Sequence, residues 1–153
     1  MRNSILFSVF LLVFLKATSQ EFTGFQLLEK SIKFHDPEAL WPMFKANFNV
    51  TMKSPNKPPR KSRVEVDSLK SFFKLSMDQK GNKLVSTINN NDCSLSFNGD
   101  AAFSEEIAKE FRLTCERVSM YKNYYTYLYG LPMKLKDKGA IVDSNVIQRS
   151  VNG

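Results

Sequence analysis

The chain has 153 residues, 22 Lys+Arg against 15 Asp+Glu and a formal net charge of +7, with two Cys, one His and one Trp. That length suits a single domain, and 42% hydrophobic residues exclude a disordered tail. Two Cys and one His are too few for a disulfide-dense mini-protein or an ordinary four-ligand zinc site, so no metal or other cofactor is expected.

Residues 1–19 read as a leader. Arg2 gives a positive start, Ile5 to Leu15 form an apolar run broken only by Ser8, and Ala17-Thr18-Ser19 supplies small residues. This pattern predicts a secretory signal cleaved after Ser19. A membrane anchor is the alternative, but a span needs about 20 apolar residues. Cleavage removes Arg2 and Lys16 and no acid, so residues 20–153 carry 20 bases against 15 acids. The expected location is the periplasm or cell envelope. There Cys93 and Cys115 meet an oxidising medium, where a pair reads as a bridge rather than two free thiols.

Gly24 to Phe34 carries Phe25, Leu28 and Ile32 at helical spacing, which predicts an amphipathic helix ending before Pro37. Asp36 is placed to cap a short turn that sets Trp41 against the core. Met43 to Met52 changes period: Phe44, Ala46, Phe48, Val50 and Met52 alternate with polar residues, which predicts a strand. Shorter strands follow at Ser62–Asp67, Ser71–Met77, Lys83–Asn89 and Cys93–Phe97. Turn residues at Asp78–Asn82 and Asn98–Asp100 join them, so an antiparallel meander is expected rather than a parallel α/β fold. Ser104, with Glu105 and Glu106 after it, predicts a helix start. From Phe111 the chain reads as helical up to the Gly130-Leu131-Pro132 stop.

All five tyrosines fall in this last segment. Tyr121, Tyr124, Tyr125 and Leu128 share a helical stripe, with Tyr127 and Tyr129 around its side. The stripe can plug a sheet, its phenols at the rim, or wall an apolar ligand. Lys53 to Arg63 holds five bases (Lys53, Lys57, Arg60, Lys61, Arg63), three prolines and no acid. Without interleaved aromatics it makes no nucleic-acid surface. It reads as a solvated connecting loop that can touch anionic lipid headgroups. His35-Asp36 are sequence neighbours, whereas catalytic His–carboxylate pairs meet in space. No G-x-S-x-G, H-E-x-x-H or phosphate-cradling glycine loop is present, so no catalytic residues are assigned.

Two motifs carry a family resemblance: Ser31-Ile32-Lys33-Phe34-His35-Asp36-Pro37 with Trp41, and Tyr124 through Leu135 (YYTYLYGLPMKL). With them the chain resembles a family of exported Bacteroidota proteins of unknown function, over about Phe25 to Val146. The resemblance implies an architecture similar to periplasmic lipoprotein carriers: a curved, incomplete antiparallel half-barrel with helices in its concave face. Family members are usually longer, and Asn145 to Gly153 shows no finishing strand. The expectation is therefore one α+β domain over residues 20–153, shortened by missing C-terminal strands.

The expected function is binding of a lipid or other apolar ligand, with Trp41, Phe44, Phe48, Tyr121, Tyr124 and Tyr125 as wall residues. The alternative is a non-catalytic structural or interaction module of the cell envelope. An envelope lyase or hydrolase would need clustered ionisable groups in a pocket.

Overall fold

The structure is a computed structural model that describes residues 22–150; the leader expected at 1–19 lies outside the described residues. The chain opens with helix α1 (Gly24–His35), followed by a 3-10 turn at Trp41–Met43. Five strands come next: β1 (Lys45–Ser54), β2 (Lys57–Asp67), β3 (Phe72–Gln79), β4 (Asn82–Asn89) and β5 (Asp92–Phe97). Helices α2 (Glu105–Phe111) and α3 (Cys115–Tyr129) close the fold, with a last 3-10 turn at Met133–Lys136. The architecture is α+β, and the antiparallel sheet does not close.

The sheet is a simple meander, β1-β2-β3-β4-β5, as the short strands and turn residues imply. Its registers align the alternating apolar residues into three cross-strand rows. One row is Ala46-Val66-Phe73-Ile88-Cys93, the next Phe48-Val64-Leu75-Ser86-Leu95, and the third Val50-Ser62-Met77-Leu84-Phe97. All three rows therefore share one face, because side chains alternate with a period of two. Val64, Phe73, Leu75 and Leu84 are fully buried on it. Each such burial stabilises the fold by roughly 1.5–3 kcal/mol. Lys80-Gly81 joins β3 to β4 with both residues at positive φ, the geometry that matches strand twist and that glycine adopts freely.

The helices cover this inner face. On α3, Val118 and Tyr125 are buried and Tyr121 packs beside them. Phe111 of α2 meets Phe97 at 5.0 Å between ring centroids. Cys93 of β5 and Cys115 in the first turn of α3 form a disulfide, closing a sequence separation of 22. A loop of that size stabilises by about 3 kcal/mol in the chain-entropy account.

Four expectations need correction. Lys53 to Arg63 is not a connecting loop. Only Pro55-Asn56 turns, with Asn56 in the left-handed region, and β2 begins at Lys57. Between the pairs Ser54–Lys57 and Met52–Arg60 the register shifts, so Pro58 and Pro59 stand opposite Lys53 in a bulge. Proline is tolerated there because a bulge needs no ladder N–H, and β3 pairs with β2 only from Ser62 onward.

The final helical segment is also broken in two. Arg112 adopts φ 53° and the Leu113 N–H closes onto the Ala108 carbonyl at 2.9 Å, a left-handed stop made without glycine. Thr114 then caps α3, its hydroxyl accepting from the Arg117 N–H at 3.2 Å. The apolar face of α1 is only partly used: Leu28 is buried and Ile32 half-buried, but Phe25 is 58% exposed. The C-terminal segment crosses this helix instead, where the Gly24 N–H donates to the Ser144 carbonyl and Lys136 pairs with Glu29. Finally, Phe44 precedes β1, and Met52 on the inner parity is exposed where β2 has parted from β3, their pairing stopping at Ser62–Met77.

Candidate ligand groove

The β1–β2 hairpin outruns β3, so its end forms a two-stranded arm beside α3. Between arm and helix lies an open groove of about 620 Å3. That volume falls within the range of small-molecule sites. The strand side contributes Val50, Met52 and Arg60; the helix side contributes Met120, Tyr124 and Leu128, with Tyr121, Tyr125 and Tyr129 behind them.

Helical geometry divides the tyrosines. Val118, Tyr121, Tyr125 and Tyr129 recur every three or four residues on the side that meets the sheet. Tyr125 is 3% exposed and lies near Phe73, Phe48, Tyr121 and Tyr124. Tyr129 reaches Phe48 at 4.5 Å between ring centroids. Met120, Tyr124 and Leu128, spaced by four, form a flank that stays largely in solvent, Tyr124 being 57% exposed. Tyr121, Tyr124 and Tyr125 thus come together on the groove. Phe48 lies beneath it against Tyr125 and Tyr129. Trp41 and Phe44 stack on each other at 4.8 Å and stand outside the groove lining. Trp41 instead fills the space over Gly130, where a Cβ would come within 2.3 Å of its ring.

Two cations frame Tyr121. The Arg60 guanidinium is 6.0 Å and that of Arg117 5.1 Å from its ring centroid. Arg117 Nη2 donates to the Tyr121 hydroxyl at 3.3 Å. Burial pushes the Tyr125 phenol pKa up; Arg60 opposes this, and Tyr121, Tyr124 and Tyr129 add to it. The basic cluster is split by strand alternation: Arg60 shares the inner parity of Met52, while Lys61 and Arg63 take the opposite parity. Arg63 lies 3.7 Å from Glu65 there.

The placement of Arg60 and Arg117 beside Tyr121 is not evident from residue type. Arg117 could be found from its position four residues before Tyr121 on one helix. Arg60 could not, because its face depends on the hairpin register and the bulge.

The His35-Asp36 pair does structural work. Both Asp36 carboxylate oxygens accept backbone N–H groups, from Leu40 at 2.7 Å and Trp41 at 3.0 Å, while His35 is exposed beside Phe34. Among the described residues no group of three His, Cys, Asp or Glu side chains could hold a metal ion, and no helix is long and apolar enough to cross a membrane.

No curated protein and no solved structure matches the chain. A family match covers residues 4–152, nearly the whole sequence. The chain therefore belongs to DUF6503, a family of unknown function.

Proposed function

We propose that the protein is exported and binds a lipid or another apolar ligand in the groove between α3 and the β1–β2 arm, in the manner of periplasmic lipoprotein carriers. The observation that carries this reading is the groove itself. It is lined mainly by apolar groups, and it keeps Met52, Met120, Tyr124 and Leu128 in solvent. Large apolar side chains gathered along one concavity favour ligand burial. Tyr121, Tyr124 and Tyr125 are its wall, Phe48 supports them from below, and Trp41 with Phe44 buttresses the end of α3. Export is supported by the leader pattern of residues 1–19 and by the Cys93–Cys115 bridge. Lys53, Lys57 and Lys61 on the arm would touch anionic headgroups, each worth about 1 kcal/mol near a membrane surface.

Protein isolated from its native host in mild, detergent-free buffer should carry a lipid detectable by native mass spectrometry. Repeatedly empty protein, with no affinity for fluorescent fatty acids, would overturn the reading.

A second reading, a non-catalytic interaction module of the cell envelope, is favoured by α1, where Phe25, Leu27 and Phe34 are exposed and Phe34 reaches 80%. Crosslinking of α1 to one envelope protein, in material that holds no lipid, would select it.

A further inference from the structure

The inference deepens the groove reading and rests on it: it concerns the head of the ligand. Arg60 stands on the free part of β2, and its Nε is buried without a hydrogen-bond partner among the described residues. Its Nη2 reaches only the Met52 sulfur, at 3.7 Å, and a thioether is a weak acceptor. Arg117 makes the Tyr121 contact already described and otherwise meets the Met120 sulfur at 3.9 Å. Among the described residues neither guanidinium lies within 4.0 Å of a carboxylate; the ion pairs there join other side chains.

The two arginines also line a second cavity of about 430 Å3 that adjoins the groove. Lys57 and Arg112 border this cavity, and Ser86, the small residue between Leu75 and Leu95, leaves it room. Its one acid is Glu110, already held by Lys80 at 2.7 Å. The junction of the cavities is therefore cationic and has no unpaired acid, Gln79 and Ser86 being the uncharged acceptors of the second cavity. Planar guanidinium groups with unused donors match an oxyanion, whose hydrogen bonds strengthen where water is excluded. From Arg117 the apolar flank runs through Met120 and Tyr124 to Leu128, about 16 Å along the helix axis.

We propose that the groove takes a single-chain amphiphile with an oxyanion head, a carboxylate or phosphate, held between Arg60 and Arg117, with its tail along Met120, Tyr124 and Leu128. The head supplies the acceptors the guanidiniums lack, and the tail covers the exposed flank.

Titration calorimetry of the oxidised full chain tests this with dodecanoate, dodecyl phosphate, dodecanol and dodecyltrimethylammonium, beside acetate and inorganic phosphate. The two anionic amphiphiles should bind at least about tenfold tighter than the alcohol, and the cationic one weakest. Dodecanoate against dodecyl phosphate then tells which head the site prefers. Arg60→Gln and Arg117→Gln should each remove most of this preference, weakening the anionic amphiphiles at least about fivefold more than dodecanol. If either variant fails to fold, the wild type still decides: added salt must weaken the anions and spare the alcohol.

Equal affinity for all four amphiphiles would overturn the clamp and leave the apolar groove standing. Binding of free phosphate or acetate as tightly as the long-chain anions would overturn the amphiphile. Failure of every amphiphile to bind would remove the groove reading itself, and this inference with it.

Discussion

Gly130 shows how closely the end of α3 is packed. A Cβ there would lie 2.3 Å from Trp41 Cζ2 and 2.5 Å from both Lys134 Cγ and the Thr126 carbonyl oxygen. The lysine can move aside, but the backbone oxygen cannot. Gly130→Ala should therefore destabilise by about 1–3 kcal/mol in urea unfolding, the usual cost of overpacking. Tyr125 makes a pH prediction. Burial raises its pKa in the folded state, so the unfolded chain loses that proton first. Its contribution is complete below the unfolded value of about 10 and is lost as pH rises through the folded value. Stability measured across that alkaline range should fall less in Tyr125→Phe than in wild type; an identical fall would mean the phenol is not desolvated.

At the scale of elements, the disulfide fastens α3 to the edge strand β5. The double variant Cys93→Ser/Cys115→Ser should lose about 3 kcal/mol in chemical denaturation, and reduction of the wild type should match it. Thr114→Ala should cost a further ~1 kcal/mol by uncapping the same helix end.

The strands were legible because period-two alternation and turn residues agree: Phe73, Leu75 and Met77 on β3 face the core as their spacing implies. The β1–β2 arm was not legible. Three prolines and five bases look like a loop until the Pro55-Asn56 turn and the bulge set a register that accommodates them. The break at Arg112 was equally hidden, since a left-handed stop usually announces itself with glycine. In the groove, Tyr121, Tyr124 and Tyr125 could be grouped from helical spacing. Which of them is buried depends on how the helix is rotated against Phe48 and Phe73, and only packing settles that.

The molecule as a whole is a one-sided sheet. Its inner face meets two helices, while its outer face holds partly exposed ion pairs such as Arg63–Glu65 at 3.7 Å and Lys74–Glu65 at 3.8 Å. Pairs of this kind contribute 0–1 kcal/mol each and are screened by salt. The helical cover is narrower than the sheet and its arm, and the groove is the uncovered margin. A ligand seated there would extend the core, linking α3 to the arm across a gap that no side chain of the described residues fills.

The central claim is that this margin takes an apolar chain, and photolabelling tests it most directly. A long-chain fatty acid with a diazirine near its tail would be irradiated with the oxidised protein and the adducts located by peptide mass spectrometry. The account predicts adducts on the arm around Met52 and on α3 at Met120, Tyr124 or Leu128, abolished by excess unlabelled fatty acid. Adducts confined to Phe25 and Phe34 of α1, or labelling that competitor does not reduce, would contradict it.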